Sequence, residues 1–178
     1  MKTELVENRI IVWSIENSKK LFKQGYYGKP IGIPKPKPDE IDSPLVLDLI
    51  EGMYLMVNKK ITIYISKHKI SEEEMIEICK KEYHDFDKKY RVYSYFRDRR
   101  YIINPGIKFG CDFAVYEKGP GIDHAPYLVQ VYNRTEPITA TGIVLAGRLA
   151  TTVRKQFILA VANGKDKVDF LALDWWKA

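Results

Sequence analysis

Apolar residues fall in short clusters along this chain, separated by charged or proline-rich stretches, and the clusters alternate between two periods. RIIVWSI (9–15) and IGI (31–33) are compact apolar runs that predict short strands, and ITIYI (61–65) is β-branched over a similar length. PKPKPDEID (34–42) reads as a connector, since each proline removes a backbone donor and fixes φ. Ser43-Pro44 then predicts a helix start, because serine caps and proline suits the first turn. Leu45, Leu47, Leu49, Ile50, Met53 and Tyr54 supply that helix's apolar positions. Ser71 followed by Glu72, Glu73 and Glu74 is a capping-box start for a helix through EMIEICKKEY. Acids at a positive helix end account for that run without a metal cluster.

The apolar stripe lapses over HDFDKK, and a domain boundary is expected there, giving units at 1–84 and 85–178. KYRVYSYFRDRRYI (89–102) predicts a helix rich in Tyr and Arg, ended by the turn Asn104-Pro105-Gly106. FGCDFAVYE (109–117) and PYLVQVYN (126–133) are strands flanking a loop, and TATGIVLAGRLATTVRK (139–155) is a long helix. QFILAVA (156–162) and KVDFLALDWW (167–176) are strands joined through the hairpin dipeptide Asn163-Gly164. The fold class expected is α/β in the α+β sense: a small N-terminal α/β domain, then a second unit with a sheet, a long helix and a final hairpin. The last strand offers an edge on which another chain could pair.

Composition narrows the classes. No run approaches the ~18 apolar residues of a membrane helix, and the N-terminus carries acids where a signal peptide needs a basic, then apolar, then cleavable succession. A soluble, cytoplasmic chain with no membrane partner is expected. Cys79 and Cys111 are isolated and read as buried thiols. Net charge is +6 and unevenly placed: residues 1–84 carry 14 Lys and Arg against 13 Asp and Glu, residues 85–178 carry 15 against 10. A basic second half is the footprint expected for a polyanion such as nucleic acid, although a basic balance alone is weak evidence for one.

Within that half, YEKGPGIDHAPYLVQV (116–131) brackets a Gly, Pro and Asp loop with Tyr116 and His124, more than turn geometry requires. On the long helix, Thr141, Arg148, Thr152 and Lys155 share one face, with Ile143, Leu145, Leu149 and Val153 mainly elsewhere and able to pack. Two readings stand for each group: Tyr116 packs and the cations form a solvated face, or they do chemistry. His68 and His84 read as surface residues, and HExxH, CxxC, GxSxG and a phosphate loop are absent. A set of Tyr, His and Lys can cleave RNA without metal. One group takes the proton of the ribose 2′-OH as it attacks phosphorus, another protonates the departing 5′-oxygen, and a cation offsets charge on the phosphoryl oxygens. Histidine suits the acid role. Tyrosine suits the base role only if neighbouring cations lower a pKa of ~10.

The run YRVYSYFRDRRYIINPGIKFGCDFAVYEKG, then His124, then YLVQVY, then TGIVLAGRLATTVRK, resembles the archaeal tRNA-intron (tRNA-splicing) endonucleases. The resemblance is best over 88–155 and extends to the SPLVLDLIEGMYLM segment and the terminal hairpin. It implies Tyr116 as general base, His124 as general acid and Lys155 as the group stabilising the transition state. It also implies Arg148 stacking on a bulge nucleotide, with Trp175 near its partner position. The family cleaves precursor tRNA at a bulge-helix-bulge, leaves 2′,3′-cyclic phosphate and 5′-OH ends, and uses neither metal nor other cofactor. Its second domain is a restriction-nuclease-like mixed sheet. A non-catalytic structural or RNA-binding subunit of the same complex is the alternative, and a metal-dependent nuclease a third reading. Metal-dependent nucleases of that fold set acids and a lysine on the central strands. Here Asp112 is present, but Gln130 stands where a Glu-x-Lys would be needed.

In homotetrameric members of the family, an acidic loop in the C-terminal hairpin docks in a basic pocket of another subunit. Here the loop reads ANGKDKVD, where lysines dilute Asp166 and Asp169. Complementary charge steers such docking. The expectation is therefore a catalytic subunit that self-associates through its C-terminal strand and takes a second, non-catalytic subunit to complete a heterotetramer.

Overall fold

The computed structural model describes residues 1–34, 36–122, 124–163 and 167–173. The chain divides into two compact units, Met1–Phe86 and a second beginning at Asp87. Both are α+β with mixed sheets. Among the described residues no helix is long and apolar enough to cross a membrane.

The first unit runs β1 (Lys2–Val6), β2 (Arg9–Val12), α1 (Ile15–Gly25), β3 (Lys29–Pro30), β4 (Leu45–Leu47), α2 (Leu49–Val57), β5 (Thr62–Ile65), β6 (His68–Lys69) and α3 (Glu72–Glu82). Its sheet has the order β3-β4-β2-β1-β5-β6, parallel only between β1 and β5. Local capping fixes the helices. Ser71 and Glu74 close the capping box at α3, and Ser14 accepts from the Asn17 N–H to start α1.

Three expectations are corrected here. The strand drawn through residue 15 ends at Val12, because Ser14 opens a helix, and neither α1 nor β1 was foreseen. The pairing expected at 31–33 lies at Lys29–Pro30, ahead of a turn at Gly32 with φ +78°. The helix expected from Ser43-Pro44 begins instead after Asp48, whose side chain forms a capping box with Glu51. Leu45 and Leu47 alternate inward and pair with β2 and β3, so burial on a sheet outweighs the local helix signal.

The second unit runs α4 (Phe86–Asp98), β7 (Ile102–Pro105), a 3₁₀ turn (Ile107–Phe109), β8 (Phe113–Tyr116), β9 (Tyr127–Asn133), α5 (Ala140–Thr152), β10 (Gln156–Asn163) and β11 (Lys167–Leu173). Strand order is β11-β10-β9-β8-β7. β9, α5 and β10 make a parallel crossover, and the other pairs are antiparallel. The α4 aromatics cover one face: Tyr93 meets Phe113, and Tyr95 and Phe96 meet Phe170. On the other face Ala146, Leu149, Ala150 and Val153 of the α5 segment pack with Ala114, Leu128, Phe157 and Leu159.

The helix expected to 102 stops at Asp98, and Arg100 takes φ +67° before β7. Arg97, the most deeply placed arginine of that run, donates from Nε to the Tyr93 hydroxyl and from a terminal nitrogen to the Ile103 carbonyl. It ties helix to strand. The strand expected from 109 starts at Phe113, because a 3₁₀ turn precedes it and Gly110 turns with φ +65°. Gly106 sits where a Cβ would lie 2.5 Å from the Cys111 sulfur, so only glycine allows that turn to close. Ile143 and Leu145 do not pack as expected: both are exposed, because the face of the α5 segment that meets the sheet carries Ala146, Leu149, Ala150 and Val153 instead. Both cysteines are buried and free, and burial pushes the Cys79 thiol up to about 12 and the Cys111 thiol up to about 11.

Candidate active site

Three of the five sequence-selected residues lie towards one end of the second sheet: Tyr116 closes β8, His124 lies on the β8–β9 loop and Lys155 precedes β10. Val115, Tyr127 and Gln156 form a row across β8, β9 and β10. Tyr116 and Lys155 each lie one residue beyond it, level with Pro126. The Gln156 N–H donates to the Pro126 carbonyl at 2.9 Å and pins that end of the sheet. His124 is exposed and precedes Ala125, a residue only 2% exposed. Burying Ala125 fixes the chain on which the imidazole is carried.

Lys155 reaches this place by an unexpected route. It was assigned to the polar stripe of a helix through residue 155, but α5 ends at Thr152 and Arg154 takes φ +53°. That reversal takes Lys155 off the helix. Its Nζ donates to the Ala125 carbonyl and lies 5.6 Å from the centre of the Phe109 ring. An ammonium over a ring face and against a carbonyl gains both a cation–π and a charge–dipole attraction. Phe109 was not singled out in the sequence. Its only signal was an aromatic beside the Gly110 turn.

Tyr116 is half-buried at the end of β8 and packs against the α5-side cluster. At the same end Tyr127 donates its hydroxyl to Glu117 at 3.2 Å, and its ring meets Tyr101 edge-on. Burial, then that carboxylate, raises the Tyr127 pKa above the usual phenol value. Arg148 is exposed on α5, as are Thr141 and Thr152, and the Thr152 hydroxyl donates to the Arg148 carbonyl at 2.8 Å. Trp175 lies outside the described residues, as do Gly164 and Asp166 of the final hairpin.

Asp112 lies at the opposite end of β8. One carboxylate oxygen pairs with Lys89 at 2.8 Å, and the other accepts from Gln130 Nε2 at 2.7 Å and the Val131 N–H at 2.8 Å. Among the described residues no group of three His, Cys, Asp or Glu could hold a metal ion. In the terminal hairpin Asn163 pairs with Lys167, so Asp169 belongs to β11 and not to the connection. Hydrogen bonds from Asn163 and Lys167 hold its carboxyl below the usual range.

Residues 1–76 match the family model described as tRNA intron endonuclease, N-terminal domain. Residues 86–170 match tRNA intron endonuclease, catalytic C-terminal domain. Relatives named tRNA-splicing endonuclease include that of Hyperthermus butylicus, 42% identical over 179 residues with 99% of each chain covered. That of Sulfurisphaera tokodaii is 40% identical over 176 residues, 98% of each chain. That of Pyrobaculum islandicum is 39% identical over 183 residues, 99% of this chain and 100% of the relative.

Proposed function

The chain belongs to the tRNA intron endonuclease family, and on that premise we propose that it cuts precursor tRNA at bulge-helix-bulge junctions without a metal ion. Tyr116 is the base that takes the 2′-OH proton. The 2′-oxygen then attacks phosphorus, the bond to the 5′-oxygen breaks, and His124 protonates that oxygen. A 2′,3′-cyclic phosphate and a 5′-OH result. Lys155 offsets charge on the phosphoryl oxygens as it develops. The observation that carries this reading is the common level of Tyr116 and Lys155 at the sheet end, with Lys155 resting on the residue after His124.

Arg148 and Trp175 would hold the bulge nucleotide, with Arg148 exposed for that purpose. The chain would self-associate through β11, an edge strand of its sheet, and take a second, non-catalytic subunit. The pairing of Asp169 with Lys167 supports that last step, because it reduces the acidity the hairpin can offer a basic pocket.

Incubating the full chain with a bulge-helix-bulge RNA in EDTA, alone and with such a second subunit, is expected to give cyclic-phosphate ends, with the rate rising when the partner is present. Cleavage that disappears in chelator and returns with a divalent ion would remove the metal-free chemistry. No gain on adding the partner would remove the heterotetramer.

Phe109 is assigned as a positioning residue for Lys155. Phe109→Ala is expected to lower kcat by about tenfold, within what a partly desolvated cation–π contact supplies, at unchanged KM. Phe109→Tyr should restore most of the rate. A fall in thermal stability with kcat intact would reduce Phe109 to packing.

A further inference from the structure

The first unit carries a groove of about 610 Å³, lined by Lys2, Glu4, Trp13, Asn17, Tyr64 and Lys67 among others. None of these residues belongs to the chemistry assigned above. The groove lies on β1 and its neighbours, where Glu4 stands opposite Tyr64 of β5, and Tyr64 opposite Lys69 of β6. Trp13 is 57% exposed, yet its indole is not loose: Nε1 donates to the Glu4 carboxylate at 2.8 Å. That bond fixes the ring plane and engages an acid of the groove. Lys2 places its ammonium 5.4 Å from the centre of the Tyr64 ring.

We propose that this groove binds unpaired RNA, one base stacking on Trp13 while Lys2 and Lys67 contact the flanking phosphates. The inference rests on the RNA-processing reading and extends it to the N-terminal unit. An oriented, exposed indole beside lysines on an open sheet is the arrangement that stacks single-stranded bases while neutralising the backbone. A protein-docking surface is the rival occupant. Interface cores are depleted in lysine, whereas here Lys2 and Lys67 line the groove together with Trp13. The volume accommodates a nucleotide, with Lys2 and Lys67 available to its phosphates.

The test uses the full-length chain with two probes, precursor tRNA and octameric oligouridylate. Trp13→Ala is expected to weaken both by about tenfold, the loss typical of one stacked base, at unchanged thermal stability. Trp13→Phe should keep most of the affinity. Lys2→Ala with Lys67→Ala should flatten the logarithmic salt dependence for oligouridylate by about 1.4, two phosphate contacts' worth. Unchanged affinity in Trp13→Ala overturns the proposal. So does a variant that binds RNA normally but loses association with a second chain in sedimentation, since the groove would then be a protein interface. A chain that binds oligouridylate through Trp13 but never cuts a bulge-helix-bulge RNA leaves the groove assigned and removes the splicing reading. Cleavage that proceeds while Trp13→Ala changes no affinity does the reverse.

Discussion

Replacing His124 with alanine is expected to slow cleavage of a bulge-helix-bulge RNA by about 10²- to 10⁴-fold, the usual contribution of a positioned general acid. His124 is exposed on the β8–β9 loop. Truncating an exposed loop side chain ordinarily moves stability by no more than about 0.5 kcal/mol. Thermal unfolding should therefore be unchanged, and the lost rate can be assigned to chemistry. RNA affinity should persist, because the cations and aromatics proposed to hold substrate remain.

A change of leaving group separates an acid from a bystander. An RNA whose 5′-oxygen is replaced by sulfur, a leaving group that needs no proton, should recover much of the lost rate in the variant. Full activity in His124→Ala, or no recovery with the sulfur substrate, would withdraw the acid role.

How the site could be read in advance depends on which forces build it. The Tyr116 and His124 bracket stood out in the sequence because both residues exceed what a turn demands. Lys155 was placed on the wrong element. Helical spacing placed it on a stripe with Arg148, whereas the chain leaves the helix at Thr152 and turns the lysine onto the Ala125 carbonyl. That contact spans 30 residues of sequence, and no local pattern encodes it. Phe109 was missed for the same reason.

The fold divides similarly. Ser71 and its three glutamates announced α3 because a capping box is a local device. Ser43-Pro44 predicts the helix start, whereas the helix begins after Asp48. The intervening Leu45–Leu47 is taken up by β2 and β3, which pair with it. The strands β8, β9 and β10 were legible from their apolar runs, but the row that aligns Tyr116 with Lys155 is a property of register and appears only with the sheet assembled.

Asp112→Ala is expected to destabilise the chain by about 3 kcal/mol, the lower end of what breaking a mostly buried ion pair costs. Lys89 and Asp112 keep only 20% and 11% side-chain exposure, so solvent recovers little of the loss. Three connections depend on this carboxylate. Lys89 brings α4 to it, Gln130 reaches it from β9, and the Val131 N–H uses it as an acceptor. Val131 lies past the end of the β8–β9 ladder, where Phe113 pairs with Val129. The side chain thus supplies the acceptor that strand β8 no longer provides, and alanine leaves a buried amide without it. A fall in Tm of roughly 10 °C follows for a chain of this size. Asp112→Asn retains an acceptor for Val131 but not the charge facing Lys89, and should lose less. The same pair of variants tests the residue's role. A carboxylate that served a metal would, on removal, abolish cleavage with stability kept or raised, because an unfilled metal site concentrates repulsion. Here cleavage measured well below the lowered Tm should survive, since Asp112 lies at the opposite end of β8 from Tyr116. An unchanged Tm with activity gone would hand the residue to the chemistry and reopen the metal-dependent mechanism.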